Sequence, residues 1–499
     1  MALQVIKQTL EVENLIGMKY AQVLVRAEAL VPGAGREAIE PLLAEANLCV
    51  NDTDLQTDRI VIEGSINCQA VYRQGEESTI RALTAQTTLN HVIDIPGTTS
   101  GMLARVCGEV EHVEAKYENG HMIFMIACGL KAQVLKLSPT EVIQSVSGVE
   151  GLQTSYHSLK SVKLAAESGE MALLKDQVVL PAALDARTSL MDWATVDIEE
   201  VVPDLGGMRV KGKVMVETLV SSGVQGRPAV LVRYPLALNQ LVELPEWLMG
   251  DVFADACVQN IRTQVDQAEG EEDAKLNCEV DVKISVLANA TDSSEALADI
   301  YATEGNALEG QEETLNLCTS AERIRVTEGV RGTMLISENA PGVGTVIATR
   351  VHPVIGEWSN ENGRGKIEGI LEASVLYMPG GSDLLAAAQS ELPFSIYVPQ
   401  TLTEDSCVSI QVMAAEANAL MSDRLEMKIQ LNICCETRRR EDVTIVESVT
   451  EGDPVQHRSG IIICWPSAEE DAWIIGKRYG VPAESIVGVE VGKPVVLKN

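Results

Sequence analysis

Leu276-Asn277-Cys278-Glu279-Val280-Asp281-Val282-Lys283-Ile284-Ser285-Val286 alternates apolar and polar residues without a slip. Successive side chains of a β-strand point to opposite faces, so this stretch describes a strand with one dry and one wet face. Leu425, Met427, Ile429, Leu431, Ile433 and Cys435 repeat the pattern against Glu426, Lys428, Gln430 and Asn432. Antiparallel sandwiches give such alternation, whereas parallel sheets covered on both faces give continuous apolar runs. The predicted fold class is mainly β.

Each alternating run closes a longer unit that occurs three times. The first unit reads Ile60-Val61-Ile62-Glu63-Gly64, then Tyr72, Ile93-Asp94-Ile95-Pro96, a run around Val106 and Val110, and Ile126 to Val134. The second reads Arg209-Val210-Lys211-Gly212, Val242-Glu243-Leu244-Pro245 and Leu276 to Val286. The third reads Lys366-Ile367-Glu368-Gly369, Tyr377, Ile396-Tyr397-Val398-Pro399 and Leu425 to Cys435. Glycine and proline stand 32, 33 and 30 residues apart, a drift that loops absorb in a duplicated unit. Three antiparallel β-sandwich-like repeats are predicted at 1–140, 165–288 and 319–440.

The intervening segments read differently. Residues 289–318 are rich in Ala, Glu, Asp, Ser and Gly and predict an acidic linker, an exposed helix or a flexible chain. Arg36 to Ala46 fits three helical turns, 136–176 a partly helical connection, and Asp266 to Asp273 an acidic hairpin tip. Arg438-Arg439-Arg440, followed by two acids, predicts a solvated end of the third repeat, with a boundary over 438–459.

A formal charge of −33 argues against nucleic acid and anionic lipid, both of which require clustered Lys and Arg. The 11 cysteines include no CxxC pair and predict reduced, structural thiols in a cytosolic compartment. Cys434 and Cys435 are neighbours on a strand and must face opposite ways. No basic-then-apolar leader opens the chain, and the longest uncharged apolar stretch, Met122 to Leu130, is too short to span a bilayer. The expectation is a soluble protein without a transmembrane segment.

Catalytic signals are poor. Gly207-Met208-Arg209-Val210-Lys211-Gly212-Lys213 spells most of a phosphate-binding loop, but Val214 stands where Ser or Thr would hold magnesium. The six histidines show neither HxH nor HxxxH spacing, and there is no GxSxG elbow. No enzyme, cofactor or metal site is predicted.

From Gly460 the character changes. Ile461-Ile462-Ile463-Cys464-Trp465 predicts a short buried strand, Glu469 to Tyr479 a helix stopped by Gly480, and Pro482 to Ile486 a second short helix. Val491 to Leu497 supplies a turn and a closing strand, giving a βααβ module over 459–499. Trp473-Ile474-Ile475-Gly476-Lys477-Arg478-Tyr479-Gly480-Val481-Pro482 resembles the central motif of a LysM module, Gly-Asp-Thr-Leu-Trp-x-Ile-Ala-x-Arg-Tyr-Gly-Val. The upstream units resemble SPOCS domains. Together they resemble the layout of SipL-like spore coat assembly proteins of endospore-forming bacteria.

That resemblance implies a cytoplasmic adaptor in the mother cell, at the forespore surface, docking on the coat's base-layer morphogenetic ATPase and serving other coat proteins. Glu469, Glu470 and Asp471 replace the Gly-Asp-Thr of the sugar-binding loop, so protein docking is favoured. Binding of peptidoglycan or N-acetylglucosamine polymers is the alternative. Candidate partner-binding residues are Trp465, Trp473, Ile474, Arg478, Tyr479 and Val481.

Overall fold

The computed structural model describes residues 3–33, 35, 37–75, 79–245, 250–267, 273–455 and 460–498. Repeat one is built from β1 (Gln4–Leu30), β2 (Ile39–Gln56), β3 (Arg59–Gln74), β4 (Thr79–Asp94), β5 (Leu103–Glu118) and β6 (His121–Ser147). Repeat two comprises β7 (Leu152–Leu180), β8 (Ala186–Asp204), β9 (Gly207–Ser222), β10 (Ala229–Glu243), β11 (Val252–Asp266) and β12 (Ala274–Ala302). Repeat three comprises β13 (Asn306–Leu335), β14 (Val343–Glu361), β15 (Arg364–Pro379), β16 (Ala386–Val398), β17 (Cys407–Met421) and β18 (Arg424–Pro454). Each repeat is a sandwich of two three-stranded antiparallel sheets, ordered β1-β6-β5 over β2-β3-β4 and correspondingly in the others.

The alternating runs form the central strands of the larger sheets. Leu276, Cys278, Val280, Val282, Ile284 and Val286 are each at most 1 % exposed, so the dry face predicted for β12 is fully buried. At roughly 1.5–3 kcal/mol for each buried aliphatic side chain, this face fixes the register of the strand.

The repeated glycines have a common cause. Gly64, Gly212 and Gly369 pair with Val50, Ile198 and Ile355, each beside a register shift in the neighbouring strand. The bulge drives a backbone carbonyl at the glycine: a Cβ on Gly64 would lie 2.8 Å from the Cys49 oxygen. The Asp197 and Val354 oxygens press on Gly212 and Gly369 in the same way. Eight residues on, Tyr72 and Tyr377 are at most 1 % exposed, and Val220 fills the matching place in repeat two.

The repeats close into a ring. Leu42, Leu43 and Val71 of repeat one, Leu190, Met191 and Trp193 of repeat two, and Ala348, Leu376 and Leu385 of repeat three share one core. Arg350 of repeat three donates to Glu45 of repeat one at 3.3 Å and Glu217 of repeat two at 3.0 Å, with its guanidinium over Trp193.

Several segments differ from their sequence reading. The expected linker 289–318 is strand: β12 runs to Ala302 and β13 begins at Asn306. The expected helix at 36–46 is instead β2 from Ile39, where a bulge at Pro41/Leu43 helps carry two consecutive leucines into the shared ring core. Tertiary pairing overrides local helix preference there. Residues 136–147 and 152–176 belong to β6 and β7, not to helices. Of the acidic tip expected over 266–273, residues 268–272 lie outside the described residues. Of the boundary expected over 438–459, residues 438–454 continue β18 and 456–459 lie outside the described residues.

These extensions form a column beyond the sandwiches. The start of β1 pairs with the end of β6, the start of β7 with the end of β12, and the start of β13 with the end of β18. Their shared interior holds Leu10, Val12, Val142, Leu159, Ala296, Leu315, Leu317 and Ile445. A second layer contains Ile143, Leu297, Ile300, Leu308 and Val446.

A buried polar knot lies where these three strand pairs converge. Arg438 is 2 % exposed and donates to both oxygens of Glu13, itself 0 % exposed, at 2.7 and 2.9 Å. Arg438 also reaches Asn289 at 3.0 Å, and Glu13 accepts from the Leu164 backbone at 2.7 Å, so all three repeats meet here. Arg440 pairs with Glu13 and Asp405. The arginine triplet is therefore not a solvated end. Two of its members neutralise carboxylates that β1 and the β16–β17 loop bring to the junction.

Candidate docking site

The terminal module consists of β19 (Ile461–Cys464), α1 (Ala472–Tyr479), a 3-10 turn (Ala483–Ser485) and β20 (Val495–Lys498). The second helix expected after Pro482 is thus a single 3-10 turn, loosely matching the βααβ reading. Cys464, Ile475, Val481, Ile486, Val495 and Leu497 form the module's core.

The acidic loop is committed to local structure. Asp471 caps α1 by accepting from the Ile474 N–H at 2.9 Å, and Gly480 closes the helix at φ +66°. Glu470 accepts from the Ser467 N–H at 3.0 Å and pairs with Arg478. The Ser467 backbone bond, with the Arg478 charge, holds the Glu470 carboxyl below its ordinary range. Glu469 is exposed.

Trp473 is used internally. Its indole N–H donates to Asp299 of β12 at 2.8 Å, and its ring meets Tyr301 edge-on with centroids 5.0 Å apart. Lys477 pairs with the same Asp299, and the Tyr301 hydroxyl donates to the Val481 carbonyl at 3.1 Å. Gly476 permits this approach, since a Cβ there would lie 2.5 Å from the Tyr301 oxygen. One face of α1 is therefore seated on the end of the column.

The residues left outward are others. Trp465 is 64 % exposed, with Ile461, Ile463, Ile474 and Val496 also exposed. Ile463 pairs across the two-stranded sheet with Val496, so Ile461, Ile463 and Val496 share one face of β19–β20. The strand expected to be buried at 461–465 buries only Cys464 among 461–464. Of the predicted residues, Trp465, Ile474 and Arg478 face outward, Tyr479 is half-buried and Val481 is in the core. Ile461, Ile463 and Val496 were missed, although the alternation around Cys464 carries the signal.

The stretch spelling a phosphate loop is a hairpin strand, with Lys211 and Lys213 paired to Glu200 and Glu199 at 2.9 and 3.1 Å. No helix N-terminus follows it. Among the described residues, no helix is long and apolar enough to cross a membrane.

No curated protein and no solved structure matches the chain. A family model described as SipL, SPOCS domain matches residues 39–118, from the first residue of β2 to the last of β5. Residues 39–118 of the first repeat are thus similar to the SPOCS domain of SipL, a sporulation-associated domain.

Proposed function

We propose that the protein is a non-enzymatic spore coat assembly adaptor that tethers the coat's base-layer ATPase at the forespore surface through its LysM-like module. The SPOCS match ties the chain to sporulation and the spore coat. One observation carries the finer reading: Ile461, Ile463 and Val496, with Trp465 next to them in sequence, leave apolar surface on a module whose acidic loop is internally satisfied. Exposed aromatic and aliphatic groups of this kind are the anchors of protein interfaces. Repeats two and three act as further SPOCS-like units, and the ring presents them to other coat proteins. Several weak contacts on one chain then raise each other's local concentration.

The glycan-binding reading gains nothing from this geometry. Glu470 and Asp471 use their carboxylates on Ser467, Arg478 and the helix start. The test is co-purification of the full chain with the ATPase, beside sedimentation with insoluble peptidoglycan. Capture of the ATPase that is lost in Trp465→Ser supports docking. Retention on peptidoglycan that chitin oligomers release overturns it.

A further inference from the structure

Two seams of the ring bring together thiols from different repeats. Cys49 of β2 and Cys257 of β11 lie with their sulfurs 3.5 Å apart, across 208 residues of chain. Cys107 of β5 and Cys407 of β17 line one cavity at the seam between repeats one and three. All four are free thiols.

The surroundings of the pairs match. Lys283 reaches over the first seam to the Val50 carbonyl, next to Cys49, at 3.0 Å. Lys131 reaches over the second to the Ser406 carbonyl, next to Cys407, at 2.7 Å. The Cys257 hydrogen bond, with Lys283 nearby, brings the Cys49 thiol down to about 7. The neighbouring Cys107 thiol, with Lys131 and Arg105 nearby, brings Cys407 down to about 6. Thiolate is the nucleophilic form, and the lysine near each pair favours loss of one of its protons.

Each pair borders a cavity, the first through Cys257 alone. Cys257 lines a cavity of about 330 Å³, and Cys107 and Cys407 line another of about 560 Å³. The remaining seam has a different chemistry: Arg323 pairs with Asp255, and Cys434 accepts from Arg323 at 3.0 Å with no second thiol as its bonded partner.

We propose that Cys49–Cys257 and Cys107–Cys407 are disulfide-forming sites that hydroperoxides close, locking repeat one covalently to repeats two and three. One sulfur of each pair, as thiolate, attacks an oxygen of hydrogen peroxide, the O–O bond breaks, and a sulfenic acid and hydroxide form. The partner sulfur then attacks the sulfenic sulfur. The S–S bond forms, the S–O bond breaks, and the hydroxide leaves with the partner's proton as water. Two thiols are oxidised and one peroxide is reduced. The 3.5 Å separation must contract to about 2.05 Å, which a rotamer change and a small shift of the seam provide.

The test uses the full chain, purified reduced, treated with hydrogen peroxide, blocked with N-ethylmaleimide and digested without reductant for mass spectrometry. Peptides linking Cys49 to Cys257 and Cys107 to Cys407 are expected, together with a dithiothreitol-reversible rise in Tm. Cys257→Ser should remove only the first link, and Cys107→Ser only the second. Maleimide on both members of either pair, or linkage of Cys49 or Cys407 to another cysteine, overturns the assignment. So does a Tm rise that survives in the Cys107→Ser/Cys257→Ser double variant.

Discussion

The indole N–H of Trp473 donates to the carboxylate of Asp299 at 2.8 Å, joining the terminal module to the end of β12 in the second repeat. Trp473 therefore acts as a joint. Trp473→Phe keeps the ring against Tyr301 and removes only the hydrogen bond, whose loss to a charged acceptor costs about 1.5–3 kcal/mol. Amide exchange over 472–479 should accelerate at least about tenfold, with the sandwiches unchanged. Exchange equal to that of the parent chain would show that the module is held by other contacts.

Partner capture should depend on the opposite side of the module. Trp465→Ser and Ile463→Asp remove exposed apolar groups, so Tm should stay within about a degree of the parent value. Affinity for the coat ATPase should fall roughly 30-fold or more for the tryptophan, the size of an interface hot spot. Titration calorimetry of both variants provides the check. Unchanged affinity moves the docking surface elsewhere.

Removing one side of the buried Glu13–Arg438 pair should be severe. Arg438→Met leaves a carboxylate at 0 % exposure with Arg440 as its remaining cation, and a loss of about 3–5 kcal/mol is expected in urea unfolding. The double variant Glu13→Gln/Arg438→Met should recover part of that loss, because no charge then stays buried unpaired. A double variant as unstable as the sum of the singles would refute the coupling.

The Glu45–His352 pair at the ring's centre predicts two pH windows. Burial alone would raise the Glu45 carboxyl, but His352 and Arg350 hold it down at about 2. Its stabilisation, on the order of 3 kcal/mol, is present above about 4.5 and lost as pH falls toward 2. Burial opposes the His352 charge, yet Glu45 raises it above its ordinary value. That contribution is complete below the unfolded-state value and disappears as pH rises through the folded-state one. The stability gap between the parent and His352→Gln should thus be larger at about pH 6 than at pH 9. A gap independent of pH would contradict the pairing.

The bulge glycines predict a contrast between substitutions of one kind. Gly369→Ala drives a methyl into the Val354 carbonyl, while Gly329→Ala meets nothing within 4 Å. The first should lose about 2 kcal/mol or more, and the second should be neutral or slightly stabilising. Equal Tm values for the two would remove the steric explanation of the repeated glycine.

The sandwiches were legible because each carries its own two-face pattern: Leu276 to Val286 states its burial without reference to anything outside the repeat. The column was not. Ala296, Leu297 and Ile300 sit among Ser, Asp and Glu, and their burial depends on Leu10, Val142 and Ile445 arriving from other strand pairs. Small side chains suit that narrow interior, yet in one dimension they look like a weakly apolar linker. Arg438 misled in the same way, since its partner Glu13 lies 425 residues away. At the docking site the helix caps Asp471 and Gly480 could be read locally, whereas the internal use of Trp473 required Asp299 in space.

The burial of Glu13 by Arg438 also bears on how the protein is made. When β1 leaves the ribosome, its counter-charge is still untranslated, and the column that will cover Leu10 and Val12 lacks most of its walls. Repeat one can pair its strands early, but its polar knot must stay hydrated until β18 has been synthesised. Such long sequence separations slow closure and leave unpaired strand edges exposed during synthesis. Truncation before β18 should therefore give nascent chains that chaperones retain.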